Sequence, residues 1–194
     1  MIGLSAGLLS LLYVGKAQEA RGLRGPAQSL GPGAMAVAEL SDARPALQLG
    51  MSIAVGIGLH NFSEGLAIGQ TAQTGRLSLA LLLIVGFALH NATEGFGIVG
   101  PLAARDVRPP WRYLLIVGLI AGGPTLVGTI VGTMFTSLYV FVLFLALAAG
   151  AIIYVIAQLL HTGRRMSWEI TVWGLLAGFL LGLATELVLV AAGA

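Results

Sequence analysis

The chain of 194 residues has no cysteine, and only 9% of its residues are charged. The missing thiols exclude disulfides, iron–sulfur clusters and thiolate metal sites, and leave the redox compartment open. The scarcity of charge excludes an ordinary soluble globular domain, in which roughly a quarter of the residues are charged. A net charge of +2 is too small for the phosphate-binding footprint of a nucleic-acid partner. What is abundant is apolar: 57% of residues are hydrophobic and 28 are glycine, with a mean hydropathy of +0.94. Glycine at this level suits tightly packed transmembrane helices.

A helix needs about 20 mostly apolar residues to cross a bilayer. Five stretches qualify: Ala46 to Gln70, Leu77 to Gly100, Tyr113 to Phe135, Leu138 to Leu160 and Trp168 to Ala191. A sixth, Ile2 to Val14, would be about 20 Å long and cannot cross a core of about 30 Å. No Lys or Arg precedes it, so it is not a signal peptide; it reads as the tail of a helix that starts upstream. The expected fold is an all-α polytopic membrane helix bundle, with five full transmembrane helices plus one partial N-terminal helix. Residues 1–14 are expected as the partial helix, 15–45 as a cytoplasmic loop and 46–192 as one transmembrane domain. The loop reading rests on Lys16, Glu19, Arg21, Arg24, Pro26, Pro32, Glu39, Asp42 and Arg44. Pro45 is expected in the first turn of a span, and Pro101, Pro109 and Pro110 in one connection.

Positive charge sets the orientation. If every span crosses, Lys16, Arg21, Arg24, Arg44, Arg105, Arg108, Arg112, Arg164 and Arg165 share one side, and Arg76 stands alone on the other. The first side is then cytoplasmic and the C-terminus outside, in the cell (inner or plasma) membrane.

Glu64, Glu94, Glu186, His60 and His90 fall deep in the spans. A charge at the bilayer centre costs about 2.5–3.5 kcal/mol on insertion scales, so such residues need partners or a task. Their pattern is informative. His60-Asn61-Phe62-Ser63-Glu64-Gly65 and His90-Asn91-Ala92-Thr93-Glu94-Gly95 share four of six positions, with a hydroxyl at a fifth and a leucine before each. The copies lie 30 residues apart in consecutive antiparallel spans, an inverted repeat of the kind that builds transport sites at its interface. His and Glu at i and i+4 share one helix face, and Asn borders it. Two such faces present two imidazoles, two carboxylates and two amide oxygens to one another. Gly56, Gly58, Gly65 and Gly69 on one helix, and Gly86, Gly95 and Gly97 on the other, would let those helices approach. These ligands suit Zn, Fe, Mn, Co or Ni, and not Cu(I). The plainer reading is polar glue between helices with both acids protonated. Glue does not require the same triplet twice at one depth.

At these residues the chain resembles the ZIP (Zrt/Irt-like) family of metal transporters, whose fourth and fifth helices carry an H-N-x-P-E-G motif and an H-x-x-x-E-type motif. The resemblance implies that His60, Asn61, Glu64, His90, Asn91 and Glu94 line the transport site. It implies a fold of eight helices with both termini outside. Ala148 to Val155 looks like the family's glycine-containing seventh helix, and Ile2 to Val14 like the end of its second or third. Ser63 and Thr93 replace the motif proline, and Gly123-Pro124 stands where members with two metals have a Glu before a proline. One ion per passage is then implied. The metal is cargo, and no cofactor is implied.

Glu186 reads as a protonated acid bonded to a neighbour, or as a vestibule ligand. Gln158 reads as interfacial polarity, or as an accessory oxygen ligand. His161 belongs at headgroup level, and Trp111, Tyr113 and Trp168 read as interfacial anchors. The leading function is transport of divalent transition metal ions, zinc first and iron or manganese besides, towards the cytoplasm. The alternative is a zinc-dependent intramembrane hydrolase, which needs three ligands, an open position for water and a general acid or base. No residue is left over for that last role. The partners are the metal and the bilayer; upstream helices or a second copy in a homodimer would cover the motif helices. The charge count predicts that a cysteine introduced at Ala27 stays unlabelled by an impermeant reagent in intact cells and reacts after permeabilisation. Labelling in intact cells would reverse the orientation.

Overall fold

The computed structural model describes residues 1–22, 34–134 and 137–191. The described residues form six helices: α1 (Ile2–Gly22), α2 (Ala34–Gln73), α3 (Leu77–Ala103), α4 (Trp111–Met134), α5 (Leu138–Met166) and α6 (Trp168–Ala191). The all-α expectation holds. Two boundaries differ. The stretch expected as a loop from 15 to 45 is helical at both ends, while residues 23–33, its centre, lie outside the described residues. Ala17-Gln18-Glu19-Ala20 and Ala34 to Leu40 are good helix formers, and a polar helix end needs no bilayer. Pro45 and Pro101 lie inside helices rather than at their edges.

Among the described residues four helices, α3 to α6, are long and apolar enough to cross a membrane; the expected fifth span, in α2, does not meet that measure. α2 has 40 residues but over its whole length is less apolar than α3 to α6. It is also the innermost: α1, α3, α4 and α5 all pack against it. Ile53, Ala54, Leu66 and Asn61 on α2 are buried. A helix surrounded by protein is not selected for apolarity by lipid. At the other extreme, α6 exposes Trp173, Phe179, Leu180 and Leu187, as suits a helix solvated by lipid.

The core lies on the half of α2 that precedes the motif. Ile53, Ala54 and Ile57 meet Ile98 of α3, Val117 and Ala121 of α4 and Val155 of α5. Leu11 of α1 joins Ala151 and Tyr154 of α5 in a second cluster. Tyr113, read from sequence as an interfacial anchor, donates its hydroxyl to the Leu47 carbonyl at 2.7 Å and ties α4 to α2. Trp111 and Trp168 remain exposed, and the Arg164 guanidinium lies 5.4 Å from the Trp168 ring centroid.

The closest approach is between α2 and α4. A Cβ at Gly65 would press on the Thr125 carbonyl oxygen and lie 2.8 Å from the Thr129 nitrogen. One at Gly128 would press on the Phe62 carbonyl, and one at Gly132 would lie 2.6 Å from the Leu66 carbonyl. Gly58 faces the Ile120 carbonyl, which Pro124 cannot bond because it has no N–H. The expectation that glycines bring α2 to α3 is thus corrected: Gly58, Gly65 and Gly69 seat α4, Gly56 meets Val155 of α5, and Gly95 faces open space. Between α2 and α3 the chain reverses over three residues, with Gly75 at a φ of 78°, a left-handed value that glycine adopts freely.

Because the obstructing atoms are backbone, Gly65→Ala should lower stability by at least about 1–3 kcal/mol, the usual cost of overpacking. Gly178→Ala on α6, where the space is open, should leave the thermal midpoint in detergent unchanged. Equal midpoints for the two variants would mean that the seam opens at no cost.

Candidate metal site

The two motifs face each other across α2 and α3. His60 Nε2 lies 3.3 Å from Glu64 Oε1 on its own helix and 3.7 Å from Glu94 Oε1 on the other. His90 Nε2 lies 3.5 Å from Glu94 Oε1. The imidazole centroids are 6.1 Å apart. His60, Glu64 and His90 each offer a ligand atom, all within 4.8 Å of one another. Glu94 reaches both imidazoles from the α3 side and closes the ring of donors.

The repeat also governs the backbone. Ser63 donates its hydroxyl to the His60 carbonyl at 2.7 Å, and Thr93 donates to the His90 carbonyl at 2.6 Å. The two hydroxyls hold equivalent places, and both helices run unbroken through their motifs. A proline there would lack an N–H and release the carbonyl four residues back.

Burial breaks the symmetry. Glu64 is 6% exposed and Glu94 14%, while His60 is 25% and His90 46% exposed. Asn61 is fully enclosed, and its amide nitrogen donates to the Ala121 carbonyl of α4 at 3.0 Å. That bond points Asn61 Oδ1 away from α4. Within the two motifs four oxygens are left buried and without a hydrogen-bond donor, the same two from each repeat: Asn61 Oδ1, Glu64 Oε2, Asn91 Oδ1 and Glu94 Oε2. Buried acceptors without partners are costly, about 1–3 kcal/mol each and more for a charged group. A cation satisfies them together, and two imidazoles beside two carboxylates form a set suited to zinc and its neighbours.

Residues 31–185 match the family model described as ZIP Zinc transporter. The chain belongs to the ZIP zinc transporter family. No curated protein and no solved structure matches it. Members of the ZIP family are transporters of divalent metal ions, not enzymes, and the hydrolase reading is set aside on that ground. This ZIP chain is a multi-pass membrane protein, with the metal as its cargo.

The accessory candidates lie elsewhere. Gln158 of α5 donates its amide to the Tyr154 hydroxyl at 3.0 Å and lines a cleft with Ser52 and His161. Glu186 is exposed on α6 and is outside the group of facing ligand atoms among the described residues. Sequence reasoning missed α4. Its Ala121 carbonyl orients Asn61, and its Thr125 hydroxyl is buried without a partner one turn further on. The available signal was a pair of Gly-x-x-x-Gly spacings, Gly65/Gly69 and Gly128/Gly132, which mark two helices that fit each other.

The asymmetry predicts unequal effects of equivalent substitutions. Asn61→Ala, which leaves the Ala121 carbonyl without its side-chain donor, should destabilise the metal-free protein by about 1–3 kcal/mol. Asn91→Ala, which breaks no bond to α4, should stay near wild type in the same thermal unfolding measurement. Equal losses would refute the positioning of Asn61 by α4.

Proposed function

We propose that this protein carries a divalent transition metal, zinc foremost and iron or manganese besides, towards the cytoplasm through a mid-membrane site of His60, Asn61, Glu64, His90, Asn91 and Glu94. The observation that carries the reading is the matched set of orphaned oxygens, one amide and one carboxylate from each repeat. Each sits beside an imidazole-bearing face. Hydrogen-bonded glue would have consumed those acceptors; a cation uses them. The membrane is the cell membrane, and the direction follows from the arginine-rich ends lying on the cytoplasmic side.

The metal enters from the side of the α2–α3 turn, exchanges water for imidazole and carboxylate, and leaves towards the arginine-rich end. Ligand atoms up to 4.8 Å apart stand wider than a closed tetrahedral shell, whose metal–ligand bonds are about 2.0–2.2 Å. Capture therefore draws the two faces together. α2 is fastened to α4 along the glycine seam, whereas α3 packs chiefly on α2. α3 is the half that moves, and its motion opens the site first to one side and then to the other. Protons compete with the metal for the imidazoles and carboxylates, so acid weakens binding.

The test is metal uptake in cells or liposomes. Glu64→Ala and Glu94→Ala should each reduce zinc uptake by at least about tenfold, at unchanged levels of inserted protein. Wild-type uptake in both variants would remove these carboxylates from the pathway.

A further inference from the structure

The structure holds a second polar feature, at the end of the bundle opposite the α2–α3 turn. A cleft of about 390 Å³ opens there between α1, α2, α3 and α5. Gln48, Ser52, Arg105, Gln158, His161 and Arg165 supply its polar lining. Its charge is of the wrong sign for the cargo. Among the described residues the lining holds two guanidiniums and a histidine, and no carboxylate. A metal ion lingering there would meet two positive charges and no described acid.

Neither the Arg105 nor the Arg165 guanidinium forms an ion pair, hydrogen bond or ring contact with another described residue. Arg164, by contrast, is stacked on Trp168. With the chain oriented by its arginines, this end of the bundle falls at the headgroup layer, and basic pockets between helices at that depth suit anionic lipid heads. The C-terminal ends of α3 and α5 oppose an anion, each with about half a charge at most; two full guanidiniums outweigh them. Guanidinium is also the side chain best shaped for phosphate, through paired N–H donors.

We propose that this cleft binds a phosphate-bearing anion, the headgroup of an acidic phospholipid, between Arg105 at the end of α3 and Arg165 at the end of α5. The ligand bridges the loosely held motif helix to α5. The bridge matters for transport only through the metal-site reading above, but the binding itself is independent of it.

The experiment uses the full chain in detergent. Short-chain phosphatidylglycerol is titrated and bound lipid counted by native mass spectrometry; inorganic phosphate is titrated separately by calorimetry. R105Q/R165Q should bind phosphatidylglycerol about tenfold more weakly than wild type, the scale of one lost charge-assisted hydrogen bond. R108Q/R164Q removes as much charge from the same end outside the cleft, and should stay within about twofold of wild type. R105Q and R165Q singly, each losing several-fold, serve where the double variant does not purify. Binding of inorganic phosphate without lipid, lost in the same variants, supports the anion site and assigns it a soluble ligand. Equal losses in the two double variants would reduce the effect to general surface charge and overturn the proposal. So would binding of neither probe.

Discussion

Lipid cannot solvate Asn61 or Glu64, and the bundle is arranged to keep both away from it. A charged group near the bilayer centre costs about 2.5–3.5 kcal/mol, and an unpaired polar one several. α2 escapes that cost by occupying the centre, with α1, α3, α4 and α5 around it. Packing four helices around one demands close backbone approach, so small residues fall where the neighbours cross. Gly56 admits Val155, and Gly58, Gly65 and Gly69 admit the backbone of α4. The polar character of α2 and its central place are one fact seen from two sides.

From this follows the unequal fate of the repeat. The same residues stand in both motifs, yet Asn61 is bonded to the Ala121 carbonyl and enclosed, while His90 is nearly half exposed. The α2 copy is set in a rigid frame. The α3 copy is presented by a helix with few other attachments. A carrier needs a site strong enough to strip water from an ion and loose enough to release it. In the proposed mechanism one half supplies fixed ligands and the other supplies movement. Ser63 and Thr93 keep both helices continuous through the motif, so the movement belongs to a whole helix rather than to a local break.

The ends of the bundle obey a different physics. Arg105 and Arg165 flank the cleft without a described acidic partner. Near the headgroups a positive charge is solvated by lipid phosphate as well as by water. In the proposed reading, the arginines that set the orientation also hold the chain there. Site and anchor are separated along α2 by the apolar core around Ile53, Ala54 and Ile57.

The sequence by itself determined the membrane class, the helical fold and the six ligand candidates. Hydropathy acts over whole segments, and the His/Asn/Glu triplet repeats whatever the packing. The i, i+4 spacing put His60 beside Glu64 and His90 beside Glu94, and both pairs are within 3.5 Å. Only the tertiary structure decided which helix is central. Glycines show where a helix can be approached, but not by whom: of those assigned to the α2–α3 contact, Gly58, Gly65 and Gly69 seat α4 instead. Apolarity by itself does not settle whether α2 spans, because that measure presumes contact with lipid, and α2 has protein on its sides. Nor could spacing foretell that a carbonyl of α4 would orient Asn61. That bond joins residues 60 positions apart, and long-range partners are settled by how whole faces fit, not by any local pattern.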